Sequence, residues 1–419
     1  MSRAGSAVLV AAALGLFLVS WALLHHGTLA RAQITDTALY QQYGDAMAHG
    51  QVPYRDFRLE YPPGALPVFV LPSLGHEGDR DAYERWFDRL MALCGAVAIA
   101  GVALVLRALG AGTARTAAAL GLVAISPLLV GSVVLSRFDL WPASLAVLTL
   151  AALLHERLTL AALTLGAAIA AKLWPAVLAP LVVVHIWRTR GSRAATAWAA
   201  GLVLVEAAVF LPFAVLSPAG LQASFHAQIA RPLQLESLGG AVLVALHHVA
   251  GTSLHVVTSY GSQNLEGTGA HAAEIATTVA GVLALAAVWA LYARRPADGE
   301  HLVAYTAAAV AATLAFGKVF SPQFVIWLIP LVPLVRGRRG LAAGVLLAAA
   351  LALTQLWFPR HYWPLAQGFA QRESWLLLAR DLAVVALAAV LAWPRLQHES
   401  LGEGHALLEA LQRVRAQVE

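Results

Sequence analysis

Apolar stretches of roughly 18 to 22 residues recur from one end of this 419-residue chain to the other, and about 20 residues is what a helix needs to cross ~30 Å of hydrocarbon. That recurrence makes the chain an all-α polytopic membrane protein. Hydrocarbon offers no partner to an unpaired backbone amide, so only helices and closed barrels span it. Continuous runs rich in Ala and Leu, without alternation of apolar and polar positions, select helices. The chain is 59% hydrophobic and 12% charged. Its formal charge of +5 would suit nucleic acid, but the basic residues fall mainly in short connections between apolar runs, where they orient the chain in the membrane. Nucleic acid is therefore excluded as a partner. The single cysteine, Cys94, lies within an apolar run, so no intrachain disulfide can form.

Spans are expected at 7–24, 90–106, 116–135, 139–154, 158–171, 173–187, 195–215, 273–293, 302–317, 322–335, 341–357 and 376–393, about twelve transmembrane helices. The first, from Ala7, is long for a signal-peptide core and is read as an uncleaved span. Those flanking Lys172 and Lys318 are short, as expected of helices that line a cavity. Arg107, Arg115, Arg188, Arg190, Arg193, Arg294, Arg295, Arg336, Arg338 and Arg339 occupy alternate connections with few acids beside them, which assigns that side to the cytoplasm. Both termini then lie inside a plasma membrane. The longer connections 25–88, 216–272 and 358–375 lie outside. Residues 1–395 are expected to form one transmembrane domain, and 396–419 a cytoplasmic amphipathic tail with Leu401, Leu407, Leu408 and Leu411 among charges.

Ionisable groups at the edge of hydrocarbon are costly unless paired or wetted, so each is a functional candidate. Arg137 and Asp139 in "SRFDLWPA", Lys172 in "AAKLWPAV" and Lys318 in "FGKVFSPQ" all fall at the outer face, beside Trp141, Trp174 and Trp327. Singly, each is accounted for by mutual neutralisation or by a lysine snorkelling to the interface. Jointly, three cations among aromatics suit an anionic headgroup with an apolar tail. Asp36 precedes "TALYQQYGDAMAHG", where it either caps a helix stopped at Gly50 or serves as a general base at the membrane surface. On composition alone the cap is favoured. "PYRDFRLEYPPG" crowds Arg55, Asp56, Arg58 and Glu60 ahead of Pro62 and Pro63, either as a loop stapled by ion pairs or as the wall of a site.

The order of an early aspartate, "HGQVPYRDFRLEYPPGALPVFVLP", "SRFDLWPASLAVLTLAAL", "LTLGAAIAAKLWPAVLAPLVVV", "ARPLQLESLGGAVL" and "FSPQFVIWLIPLVPL" resembles glycosyltransferase family 87, over about residues 5 to 395. These are integral-membrane mannosyltransferases of the GT-C superfamily, common in actinobacteria, that use a polyprenyl-phosphate sugar. The resemblance implies a GT-C helical bundle with its catalytic acid in a large first external loop. Asp36 fits that place, with Asp56 and Glu60 in reserve. Arg137, Lys172 and Lys318 would hold the donor phosphate. Arg55, Arg58, Tyr61, Asp139, Trp174, Arg231, Gln234, Glu236 and Gln323 would complete the substrate site. Where some relatives carry a histidine this chain has Gln323, which cannot shuttle a proton.

The implied activity is inverting transfer of a sugar, mannose favoured over arabinose or glucose, from a polyprenyl-phosphate donor to a glycolipid or glycan hydroxyl outside the cell. The expected partners are that donor, the acceptor and membrane lipids. A phosphate leaving group balanced by cations calls for no metal, and no cofactor is expected. The alternative is a transporter of lipid or lipid-linked oligosaccharide, gripping a headgroup with the same charges.

Overall fold

The computed structural model describes residues 3–27 and 34–393; the expected tail at 396–419 lies outside the described residues. Helix α1 (Arg3–Leu23) leads to an excursion carrying α2 (Thr37–Ala48) and α3 (Leu66–Val70), then α4 (Arg80–Ala108) and α5 (Thr113–Val130). There follow α6 (Leu140–Leu154), α7 (Leu158–Ala171), α8 (Ala179–Arg190), α9 (Ser192–Leu216), α10 (Pro218–Ile229) and α11 (Leu238–Ala250). A hairpin of β1 (Leu254–Ser259) and β2 (Ser262–Gly267) precedes α12 (Ala270–Ala293), α13 (Gly299–Phe316), α14 (Gly337–Trp357), α15 (Tyr362–Gly368) and α16 (Gln371–Ala392). Short 3₁₀ stretches at Trp174–Leu178, Pro322–Leu328 and Val332–Leu334 interrupt the bundle.

Eight of these helices are long and apolar enough to cross a membrane: α1, α4, α5 with its 3₁₀ extension, α9, α12, α13, α14 and α16. The remaining legs, α6, α7, 174–190 and 322–334, are shorter and traverse between the same two ends. Arg190 reaching Glu156 at 3.0 Å shows that the chain reverses at Lys172. Ser321 meeting Gln234 at one end, and the Leu334 carbonyl meeting Arg115 at the other, show the same of 322–334. Among the described residues these eight helices and four shorter legs make up the expected twelve, with those beside Lys172 and Lys318 short and broken. Prolines at 175, 180, 322, 330 and 333 withdraw amides and hold these legs in tight turns.

α13 is almost wholly buried and packs on α12 and α16, whereas α9 and α12 turn Leu204, Leu211, Val215, Val282 and Leu283 outward, as lipid-facing helices do. The basic connections gather at one end. There Arg115 pairs with Glu300, Arg188 donates to the Arg295 carbonyl and Arg339 donates to the Val390 carbonyl.

The longer connections are more ordered than the sequence suggested. Gly50, at φ +79° just past α2, gives the expected helix stop. Within 216–272, α11 and the hairpin are additions the hydropathy pattern did not reveal. Tyr54 sits at φ +68°, a conformation costly for a side-chain-bearing residue. It is held by its hydroxyl donating to the Tyr61 carbonyl at 2.6 Å and by its own carbonyl accepting from Ser217 at 2.9 Å. α10 rests on that carbonyl so closely that a Cβ on Gly220 would lie 2.0 Å from it. Gly220→Ala should therefore destabilise the folded protein by about 1–3 kcal/mol, read as a lower Tm in detergent. An unchanged Tm would show that α10 is not seated on the connection between α1 and α4.

Candidate active site

Asp36 occupies the N-cap position of α2, yet its side chain makes no capping bond. Instead Oδ1 meets Arg137 Nη1 at 2.8 Å, and Oδ2 accepts from the Tyr40 hydroxyl at a loose 3.4 Å. The capping account of this aspartate is corrected by that geometry. An aromatic cluster sets it. Tyr40 stacks on Phe69 at 4.6 Å, and Tyr61 and Phe69 meet Phe138 edge-on at 5.0 and 5.2 Å, fixing α2 and α3 against the turn that carries Arg137. Trp141 Nε1 donates to the Gly64 carbonyl at 3.1 Å and pins the same loop to α6.

Arg137 and Asp139 do not neutralise each other. Arg137 turns to Asp36, while Asp139, fully buried, takes the Lys172 ammonium at 2.7 Å and the Trp327 indole N–H at 2.5 Å on the same oxygen. Lys172 Nζ lies 4.9 Å from the Phe138 and Phe324 ring centres and 5.4 Å from that of Trp327. This ammonium does not snorkel to water; a carboxylate and three ring faces satisfy it. Trp174 stacks on Trp327 at 4.9 Å. The result is a rigid wall of aromatics and paired charge.

The wall encloses a cavity of about 750 Å³ at the end of the bundle opposite the basic connections. Of the residues expected at the site, Asp36, Arg58, Glu60, Tyr61, Lys172, Trp174, Arg231 and Gln323 line it. Arg137 and Asp139 stand directly behind, bonded to Asp36 and Lys172. Burial raises the Glu60 carboxyl above its ordinary value, countered in part by the positive charge of Arg231.

The other expected residues lie elsewhere. Arg55 and Asp56 pair with each other at 2.8 Å on the exposed side of the loop; bonds from Arg55 and from the Val52 amide pull the Asp56 carboxyl down to about 2. Lys318 is paired with Glu274 at 2.9 Å and donates to the Ile229 carbonyl. Gln234 donates to Ser321, and buried Glu236 accepts from the Tyr362 hydroxyl at 2.7 Å.

Sequence reading passed over Glu274, Arg380 and Asp381. Arg380 and Asp381 are fully buried on α16, 2.8 Å apart, and Arg380 lies 3.8 Å over the Phe320 ring and donates to the Glu236 carbonyl. The signal was present: adjacent opposite charges inside an apolar run at 376–393 are costly enough to demand a purpose.

A multi-pass helical membrane protein with a cavity walled by aromatics and paired charges at one end of the bundle is the class that fold and geometry define. A family model of glycosyltransferase family 87 matches residues 59–322. The chain belongs to that family and is a membrane glycosyltransferase, which sets the transporter alternative aside. No curated protein matches it. Among solved structures, the chain is similar to ArnT from Cupriavidus metallidurans bound to undecaprenyl phosphate, at 16% identity and a TM-score of 0.48, over 94% of this chain and 77% of that one. It is similar to the apo state of the same ArnT at the same identity and TM-score, over 92% and 76%.

The crossed pairs generate a stability prediction. Lys172→Met leaves Asp139 buried without a counter-charge and should cost about 3–5 kcal/mol. Adding Asp139→Leu should recover part of that loss, giving a non-additive cycle in detergent thermal unfolding. Strictly additive losses would mean that the two side chains are not coupled.

Proposed function

We propose that the protein transfers a sugar, mannose by its family resemblance, from a polyprenyl-phosphate donor to a hydroxyl of an envelope glycolipid or glycan on the extracytoplasmic face, with inversion. The cavity lies at the end away from the arginine-rich connections, which supports that facing. The observation that carries the reading is the Asp36 carboxylate: it lines the cavity, one oxygen is held by Arg137, and the other is bound only loosely.

The chemistry follows from that arrangement. Asp36 Oδ2 accepts the proton of the acceptor hydroxyl as its oxygen forms a bond to the anomeric carbon. On the opposite face the bond from that carbon to the phosphate oxygen breaks, and the electron pair leaves with the phosphate. Arg137 holds Asp36 Oδ1 and so aims the carboxylate before the proton moves. Arg137, Lys172 and Lys318, the cations expected at the donor phosphate, each hold a carboxylate of this chain; in this reading they are the fixed framework on which the cavity wall is set. Trp174 and Trp327, stacked in that wall, offer a flat apolar face of the kind sugars and prenyl chains pack on.

The test is transfer of labelled mannose from polyprenyl-phosphate mannose into envelope extract by the purified protein. Asp36→Asn should lower kcat by roughly 10²–10⁴-fold, the range lost with a general base. Because Asn also strips buried Arg137 of its counter-charge, Arg137→Gln is the matched control: it breaks the same pair and leaves the carboxylate. The base role requires a much larger loss for Asp36→Asn than for Arg137→Gln. Equal losses would reduce Asp36 to a counter-ion.

A further inference from the structure

The tip of the hairpin enters the cavity with a residue that its turn does not favour. Ser259 pairs with Ser262 in the register of β1 and β2, so Tyr260 and Gly261 make the turn, at φ +52° and +65°. Two positive φ values in a two-residue loop are the pattern of a type I′ turn, which Asn-Gly or Asp-Gly fills without strain and a tyrosine does not. The turn is braced nonetheless. Asn264, almost wholly buried, donates through Nδ2 to the Ser259 carbonyl and to the Ser259 hydroxyl, each at 2.9 Å. A costly residue held in place by its surroundings points to a use for its side chain. Tyr260 lines the cavity and keeps 45% of its surface exposed. Glu60 stands beside it: a Cβ on Gly261 would lie 3.6 and 3.8 Å from the two oxygens of that carboxylate. Arg231 and Asp36 act on Glu60 through space, but among the described residues its carboxylate has neither a hydrogen bond nor an ion pair.

We infer that Tyr260 and Glu60 select the substrate that receives the sugar, and that this substrate is itself a pyranose with two adjacent free hydroxyls. This rests on the transferase reading above. A pyranose has a flat face of C–H groups and a rim of hydroxyls. The exposed ring offers that face an apolar platform, and two carboxylate oxygens without a protein donor accept from two neighbouring hydroxyls at once. The same carboxylate repels a phosphate, which assigns this side of the cavity to a neutral sugar and not to the charged end of the donor. Transfer brings two sugars together, and the cavity carries two aromatic surfaces: Trp174 stacked on Trp327, whose indole bonds Asp139, and Tyr260 at the hairpin tip. A lipid alcohol or a serine hydroxyl brings neither a face for the ring nor a second hydroxyl for Glu60, so each is a poorer substrate than a sugar.

The experiment follows labelled mannose from decaprenyl-phosphate mannose into envelope extract, with the full chain in phosphatidylcholine nanodiscs and with donor and extract varied separately. Tyr260→Asn supplies the residue the turn prefers, so its Tm should equal or exceed that of the wild type. The extract concentration giving half the maximal rate should nevertheless rise about 10- to 100-fold, while the KM for the donor stays within about twofold. Tyr260→Trp, which keeps a ring, should retain most of the wild-type use of extract, and Glu60→Gln should raise the half-saturating concentration about 10-fold. Extract whose adjacent hydroxyl pairs have been cleaved with periodate and then reduced should take up little label from the wild type; undiminished uptake would overturn a sugar held by adjacent hydroxyls. Wild-type half-saturation by extract in both Tyr260→Asn and Glu60→Gln, while the wild type transfers normally, would overturn the subsite and leave the transferase reading standing. A raised donor KM in its place would overturn it equally. A wild type that transfers from no polyprenyl-phosphate sugar would overturn both.

Discussion

Two crossed ion pairs at the cavity end of the bundle organise this protein. Bringing a carboxylate or a guanidinium out of water costs several kcal/mol per ion, and that cost is recovered only when the partner arrives in good geometry. Arg137 and Asp139, two residues apart, reach away from each other to Asp36 before α2 and to Lys172 after α7. Trp327 joins through the same Asp139 oxygen. Four separated stretches of chain are thereby obliged to meet at one point. Asp36, which opens onto the cavity as Lys172 does, is held there because Arg137 cannot be left unpaired.

The short legs explain why a cavity exists beside that network. α7, at 14 residues, rises about 21 Å, well short of ~30 Å of hydrocarbon. α6 and 322–334 are similarly brief. Backbone that ends early inside the membrane is tolerated only where protein or a polar space covers it, and the ends of α7 and of 322–334 meet at the cavity wall. Lys172 is the residue at which α7 stops. Its bonds to Asp139 and its contact with three rings supply what the truncated helix cannot draw from water.

The spans and the polarity of the connections were legible in the sequence because both are set by the bilayer, residue by residue. Lys172 and Lys318 as marks of short, broken legs were legible for the same reason. Pairing was not. Nothing local distinguishes an Arg137 that answers Asp139 from one that answers Asp36, a hundred residues earlier; the choice depends on how α2 is seated, which the cluster of Tyr40, Tyr61, Phe69 and Phe138 decides. The Glu274 partner of Lys318 and the Arg380 partner of the Glu236 carbonyl are tertiary in the same sense. The hairpin at 254–267 was hidden for another reason: its strands are six residues each and mix apolar with polar residues, so a hydropathy pattern tuned to long apolar runs is silent about them.

That hairpin gives the buried charges of α16 a reason to exist. The segment 233–236 lies against β2 almost as a third strand: the Leu235 amide donates to the Gln263 carbonyl and the Leu265 amide to the Leu233 carbonyl, each at 2.9 Å. On its other flank the Gln234 amide donates to the Lys318 carbonyl, and Arg380 reaches out of α16 to the carbonyl of Glu236. Side-chain bonds from Gln234 to Ser321 and from Tyr362 to Glu236 add to these backbone anchors of the segment. Clamped by the hairpin on one side and by a guanidinium from the hydrocarbon depth on the other, it holds Arg231, two residues upstream of it, in a fixed relation to Arg58 and Asp36. The desolvation of Arg380 and Asp381 is thus coupled to the shape of the active cavity, not only to the stability of a helix that would pack well without them.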